Sequence, residues 1–164
     1  MINPLAETFG LKAAPEQAPA AIPCSMDLAR HFHRFVKYWA GTDVDYLGQA
    51  SDNPMEMPVE LVVRWKGSVG GTLVLRCFPD FLTWLPESRA YKPLNLCTGR
   101  EIFTEMTTLY CIYLIQQFWL TENFELGPIL PRPSTPAQWP AREPHATCGI
   151  LVDHHPVEIR LWMD

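Results

Sequence analysis

Val59-Glu-Leu-Val-Val-Arg-Trp-Lys-Gly-Ser-Val-Gly-Gly-Thr-Leu-Val-Leu-Arg-Cys77 is the stretch that decides the architecture. Val59, Leu61, Val63 and Trp65 alternate with Glu60, Val62, Arg64 and Lys66. Past the glycines, Leu73, Leu75 and Cys77 alternate with Thr72, Val74 and Arg76. Successive strand side chains point to opposite faces, so each run predicts a strand with one dry face and one wetter face. Gly67, Gly70 and Gly71 supply the turn between them, and the whole reads as a β-hairpin. The chain closes on a second unit of this kind. Cys148, Ile150 and Val152 lead into a turn at Asp153-His154-His155-Pro156. Val157, Ile159, Leu161 and Met163 then alternate with Glu158, Arg160, Trp162 and Asp164. One-sided alternation belongs to antiparallel sheets with a single covered face.

Two helical segments supply the cover. In the first, Ser25 is the expected N-cap, with Asp27 in the first turn. Leu28, Phe32, Phe35, Val36 and Trp39 form an apolar stripe, and Gly41 ends the helix after Ala40. The second runs from Gly99 to about Leu120, with Thr98 as N-cap and Glu101 three residues on completing a capping box. A short strand is expected around Val44 and Tyr46, a short helix within Pro79 to Pro86, and a connector from Tyr91 to Gly99. The proline-rich stretch from Pro128 to Pro144 reads as an extended loop with an edge strand at Ile129 and Leu130. Helix, short strand and hairpin thus occur twice in order. The predicted fold is α+β: a two-layer domain with a mainly antiparallel sheet, two long helices on one face, and an internal helix-plus-three-strand duplication. Residues 1–24, rich in Ala and Pro from Leu11 to Pro23, are set apart as an N-terminal arm, and 25–164 form one domain.

Composition narrows the function classes. The 164 residues are 48% hydrophobic and 19% charged, with 8 Phe, 6 Trp and 5 Tyr, enough for a substantial core. A net charge of −5 excludes nucleic acid as the main partner, because phosphate binding needs a basic face. The longest apolar run, Leu109 to Ile115, is too short for a membrane span. Met1 to Gly10 lacks a basic, apolar leader, so a cytoplasmic location is expected. Cys24, Cys77, Cys97, Cys111 and Cys148 form no close pair and read as reduced, mostly buried thiols. His31 and His33 sit two apart on a helix while His154 and His155 sit in a turn, spacings that do not converge on a metal. No cofactor of the protein's own is expected. Trp162, on the wetter face of the last strand, is expected at the surface or in a dimer contact.

The second helix carries the candidate chemistry. At about 100° per residue, Glu101, Thr104, Glu105 and Thr108 form one polar stripe, continued by Ile112, Ile115 and Trp119. Phe103, Met106, Tyr110 and Leu114 lie opposite and anchor the helix to the sheet. Glu105 and Thr108, three apart, project side by side: an acid able to hold a partner's lysine and a hydroxyl able to orient water. Taken alone, the stripe reads as an ordinary solvated helix face.

A resemblance changes that weighting. Ala40-Gly-Thr-Asp-Val44 ends the first helix, Lys66-Gly-Ser-Val-Gly-Gly-Thr-Leu-Val-Leu75 forms the hairpin, and Glu105-Met-Thr-Thr108 lies within the second helix. In their order and spacing these segments resemble the CheC/CheX/FliY family of chemotaxis proteins, CheX most closely, over most of the chain from Met26 onward. The resemblance implies a phosphatase for a CheY-like response regulator. In such proteins the Glu of an E-x-x-N signature pairs with the regulator's lysine, the Asn positions the attacking water, and the regulator supplies the Mg²⁺. Glu105 matches the first role, whereas Thr108 stands where the Asn would be, with a shorter side chain and no amide fork. Dephosphorylation is therefore expected to be weak or absent. Ile112 and Tyr113 replace Gly and Asn of the pattern, which predicts a bulkier helix face. A homodimer is also expected, from the resemblance and from the density of apolar residues on the second helix and last strands.

Overall fold

The structure is a computed structural model that describes residues 22–41, 44–48, 57–88, 98–119, 123–127 and 140–164. The first long helix, α1, spans Ser25–Ala40. Its N-cap is Cys24 rather than Ser25, and Asp27 completes the cap by accepting the Cys24 N–H at 3.0 Å. Burial works to raise the Asp27 pKa, but the bonds from Cys24 outweigh it and hold the carboxyl below its ordinary value. At the other end Gly41 adopts φ 62°, a left-handed conformation that favours glycine, and donates its N–H to Lys37. Leu28, Phe32, Phe35 and Val36 are buried as the stripe requires.

Among the described residues six strands follow, with two short helical turns and a second long helix among them. They are β1 (Val44–Gly48), β2 (Val59–Gly67), β3 (Gly71–Cys77), β4 (Phe124–Leu126), β5 (Ala146–Val152) and β6 (His155–Met163). A short helix, α2 (Pro79–Trp84), runs into a 3₁₀ turn at Leu85–Glu87, and the long helix α3 covers Gly99–Trp119. The sheet order is β1-β5-β6-β3-β2-β4, every neighbouring pair antiparallel. β1 pairs across to the closing hairpin and β4 pairs across to the central one, so the order reads the same when the two halves are exchanged. β4 was not anticipated. The strand expected at Ile129–Leu130, the connector before Thr98, residues 1–21 and Cys97 lie outside the described residues.

The turn between β5 and β6 is tighter than expected. Only Asp153 and His154 connect the strands, at φ 45° and 68°, and His155 and Pro156 already pair with Val152 and Leu151. Both turn residues are left-handed, the conformation that matches strand twist in a two-residue hairpin.

α1 and α3 pack on one face of the sheet, over Leu61, Val63, Leu73, Leu75, Cys148, Ile150, Ile159 and Leu161. The reverse face departs from the expected wetter surface. All seven β3 residues are buried, Thr72 and Arg76 included. Cross-strand register aligns Glu60, Arg76 and Glu158 in one row. Arg76 reaches Glu60 and Glu158 at 3.4 Å each and donates to the Met57 carbonyl at 3.3 Å, while Arg160 pairs with Glu158. Buried charges persist only where paired, and this row satisfies that condition. Trp162 is likewise buried, its indole N–H donated to the Arg142 carbonyl at 2.8 Å, so it is not a surface residue. Most of the apolar residues of α3 and β6 that suggested a dimer are thus consumed within the chain itself, Ile112 remaining half-buried.

Candidate functional site

The start of α3 is fixed twice over. Thr98 Oγ1 accepts the Glu101 N–H and Glu101 Oε2 accepts the Thr98 N–H, both at 3.2 Å, the capping box expected from the sequence. Gly99 packs so closely that an added Cβ would lie 1.8 Å from the Leu82 carbonyl oxygen, which seats the helix on α2. Farther along, Tyr110 donates its hydroxyl to the Leu28 carbonyl at 3.1 Å and meets Phe32 edge-on at 4.8 Å. Full burial pushes the Tyr110 pKa well up, so it remains a neutral donor between the two helices.

On this rigid helix Glu101 and Glu105 are exposed, and Thr104, Thr108 and Ile112 are half-buried. The polar stripe therefore faces solvent as predicted through Thr108. Its apolar continuation turns inward after Ile112, because Ile115 is buried and Trp119 leans on Trp65 with ring centroids 6.1 Å apart. Tyr113 is buried against Phe35 and His31, so of the two bulky replacements only Ile112 stands on the exposed face.

Glu105 and Thr108 differ in exposure. The Glu105 carboxylate projects from the exposed face in mid-helix. The Thr108 hydroxyl instead donates to the Thr104 carbonyl at 2.7 Å, as Thr104 does to Arg100 and Thr107 to Phe103. With its one proton committed, Thr108 has only lone pairs to offer a water, and its side chain is drawn back along the helix. The pair can thus hold a cation at Glu105 and accept one hydrogen bond from a water at Thr108, without the donor an amide would add.

The remaining candidates are structural. Burial pushes the Cys77 and Cys148 thiols up to about 12 and Cys111 higher still, which makes them poor nucleophiles; Cys24 is exposed at the α1 cap. No cluster of three His, Cys, Asp or Glu is placed to hold a metal among the described residues. His31 packs edge-on to Tyr113 and Phe118, and burial, followed by Arg34, lowers its pKa. His155 lies against Phe81 and Trp84. The buried row around Arg76 was missed in the sequence, although Glu60, Arg76 and Glu158 sit on the same predicted strand faces. No described helix is long and apolar enough to cross a membrane.

No family model matches the chain, and no curated protein matches it in sequence. Solved structures do match in fold. A chain of the CheX-CheY-BeF3-Mg²⁺ complex from Borrelia burgdorferi is 11% identical with a TM-score of 0.59, the match covering 87% of this chain and 99% of that one. The chemotaxis protein CheX from Vibrio vulnificus is 11% identical with a TM-score of 0.57, covering 84% and 93%. The FliM middle domain from Vibrio alginolyticus is 17% identical with a TM-score of 0.52, covering 84% and 88%. The chain has the CheX- and CheC-like fold.

Proposed function

We propose that this protein is a CheX-like signalling protein of the cytoplasm that binds a phosphorylated CheY-type receiver domain through the exposed stripe of α3. The observation that carries the reading is Glu105, solvent-facing in the middle of a helix locked at its start and along its buried side. Its carboxylate pairs with a lysine of the receiver, and the receiver brings its own Mg²⁺. Hydrolysis of an aspartyl phosphate then depends on a water held in line with the phosphorus, and positioning is most of what the protein can contribute.

A second reading, a receiver-binding or assembly module without catalysis, is favoured by one observation. The Thr108 hydroxyl is bonded back to Thr104, so it holds a water less firmly than an amide one bond longer. Both readings are tested with CheY activated by acetyl phosphate, following inorganic phosphate release. Little or no acceleration is expected of the wild type. Thr108→Asn is expected to raise the rate, and a folded, CheY-binding Thr108→Asn protein that gives no gain would remove the catalytic half of the reading. Binding is tested separately by titrating the beryllofluoride form of CheY. Glu105→Ala should weaken it by about 0.2–1 kcal/mol, the worth of an exposed ion pair, and unchanged affinity would remove α3 as the contact. We also propose a homodimer, a reading that rests on the CheX resemblance alone because most of the apolar residues of α3 and β6 are buried within the chain; light scattering that returns the monomer mass at micromolar concentrations would refute it.

A further inference from the structure

The solvent face of α1 carries a different signal. Three bases, Arg30, Arg34 and Lys37, oppose one acid in this helix, which is net +2 in a chain of net −5. The acid, Asp27, is turned to the Cys24 N–H at the helix start. The large apolar side chains left exposed among the described residues, Ile22, Met26 and Tyr38, all lie on this helix or its approach. Between α1 and the sheet edge formed by β1 and β5 runs a groove of about 220 Å³, lined by Met26, Ala29, Arg30, His33, Val44 and Ile150. Its floor is apolar and its rim is basic.

We propose that this groove binds an acidic peptide segment of a partner protein, which seats one apolar side chain against Met26, Ala29 and Val44 while its carboxylates meet Arg30 and His33. Charge complementarity selects the class of partner. The local excess of base attracts an acidic segment, whereas the surrounding negative chain opposes an extended anionic surface such as a membrane. The apolar floor adds a requirement that charge alone does not impose. The residues are distinct from Glu105 and Thr108, so this site and the receiver-binding stripe stand or fall separately.

The probe is an acetylated heptapeptide of five glutamates with leucine third and phenylalanine sixth, titrated into ¹⁵N-labelled protein. Chemical-shift changes are expected at Met26, Arg30, His33, Val44 and Ile150, weakening as salt is raised. Arg30→Glu should lower the peptide affinity by about fivefold or more, as a rim contact reverses sign, without altering the far-UV CD spectrum or CheY titration. The same peptide with both apolar residues replaced by glycine should bind at least several-fold more weakly. Shifts scattered over the surface, equal binding of the glycine peptide, or shifts at this groove only with phosphatidylserine vesicles would each overturn the proposal.

Discussion

The two long helices solve the same packing problem differently. α1 buries one side and leaves Arg30, Arg34, Lys37 and Tyr38 in water. α3 is enclosed on most of its circumference by the sheet, α1 and α2, and buries Thr107 and Gln116 along with its apolar residues. An amphipathic helix can carry any polar residue on its open side. An enclosed helix exposes few positions, and those are the ones available to a partner. Glu105 is informative because so little else of α3 is on display.

The contrast is broken most forcefully in the core. Phe103→Ala in α3 should cost about 3–5 kcal/mol by urea denaturation, whereas Arg34→Ala on the open side of α1 should stay within about 0.5 kcal/mol. Similar losses from both would show that the open side of α1 is covered after all. Next in size is the link between the helices. Tyr110→Phe removes only the hydroxyl bonded to Leu28 and should cost about 1 kcal/mol, with no change in the denaturant slope. Comparable again are the caps: Thr98→Ala should cost about 1 kcal/mol because a reciprocal box is lost, and Cys24→Ala less, a thiol being the weaker acceptor.

A pH titration sharpens the same comparison. His31 sits where the helices meet, and burial holds its pKa below 6.5. The folded state then takes up its proton later than the unfolded state does. The stability His31 contributes is full above pH 6.5 and is lost as pH falls through the lowered folded value. His31→Phe should flatten that decline, and an identical pH profile in the variant would show that other groups cause it. The smallest effect is expected at the site itself: Glu105→Ala should leave the melting temperature nearly unchanged.

Much of this was legible in the residues. The two hairpins, both long helices, Gly41, the Thr98–Glu101 box and the exposed Glu105 follow from local period and capping chemistry, which act within a few residues. What was not legible depends on distant partners. Trp162 and Arg76 occupy the predicted outer strand face, yet Arg142 covers one, and Glu60 with Glu158 neutralises the other. The Thr108 hydroxyl could be placed on the right face of the helix, but not its bond to Thr104, since the sequence does not fix a rotamer. β4 has only three residues, too few for alternation to register.

The crossed strand order has a consequence for how the chain comes to be folded. Val44 pairs with Val152, and Lys66 with Glu125, so neither half can complete its own sheet. The β3–β6 seam at the centre joins Gly71 to Met163. Contacts this far apart in sequence must close long loops before they return any stabilisation, which makes folding slow for a domain of this size. The sheet cannot close until β6 is available to β3 and β5, and loss of β6 would remove the centre of the sheet rather than its margin.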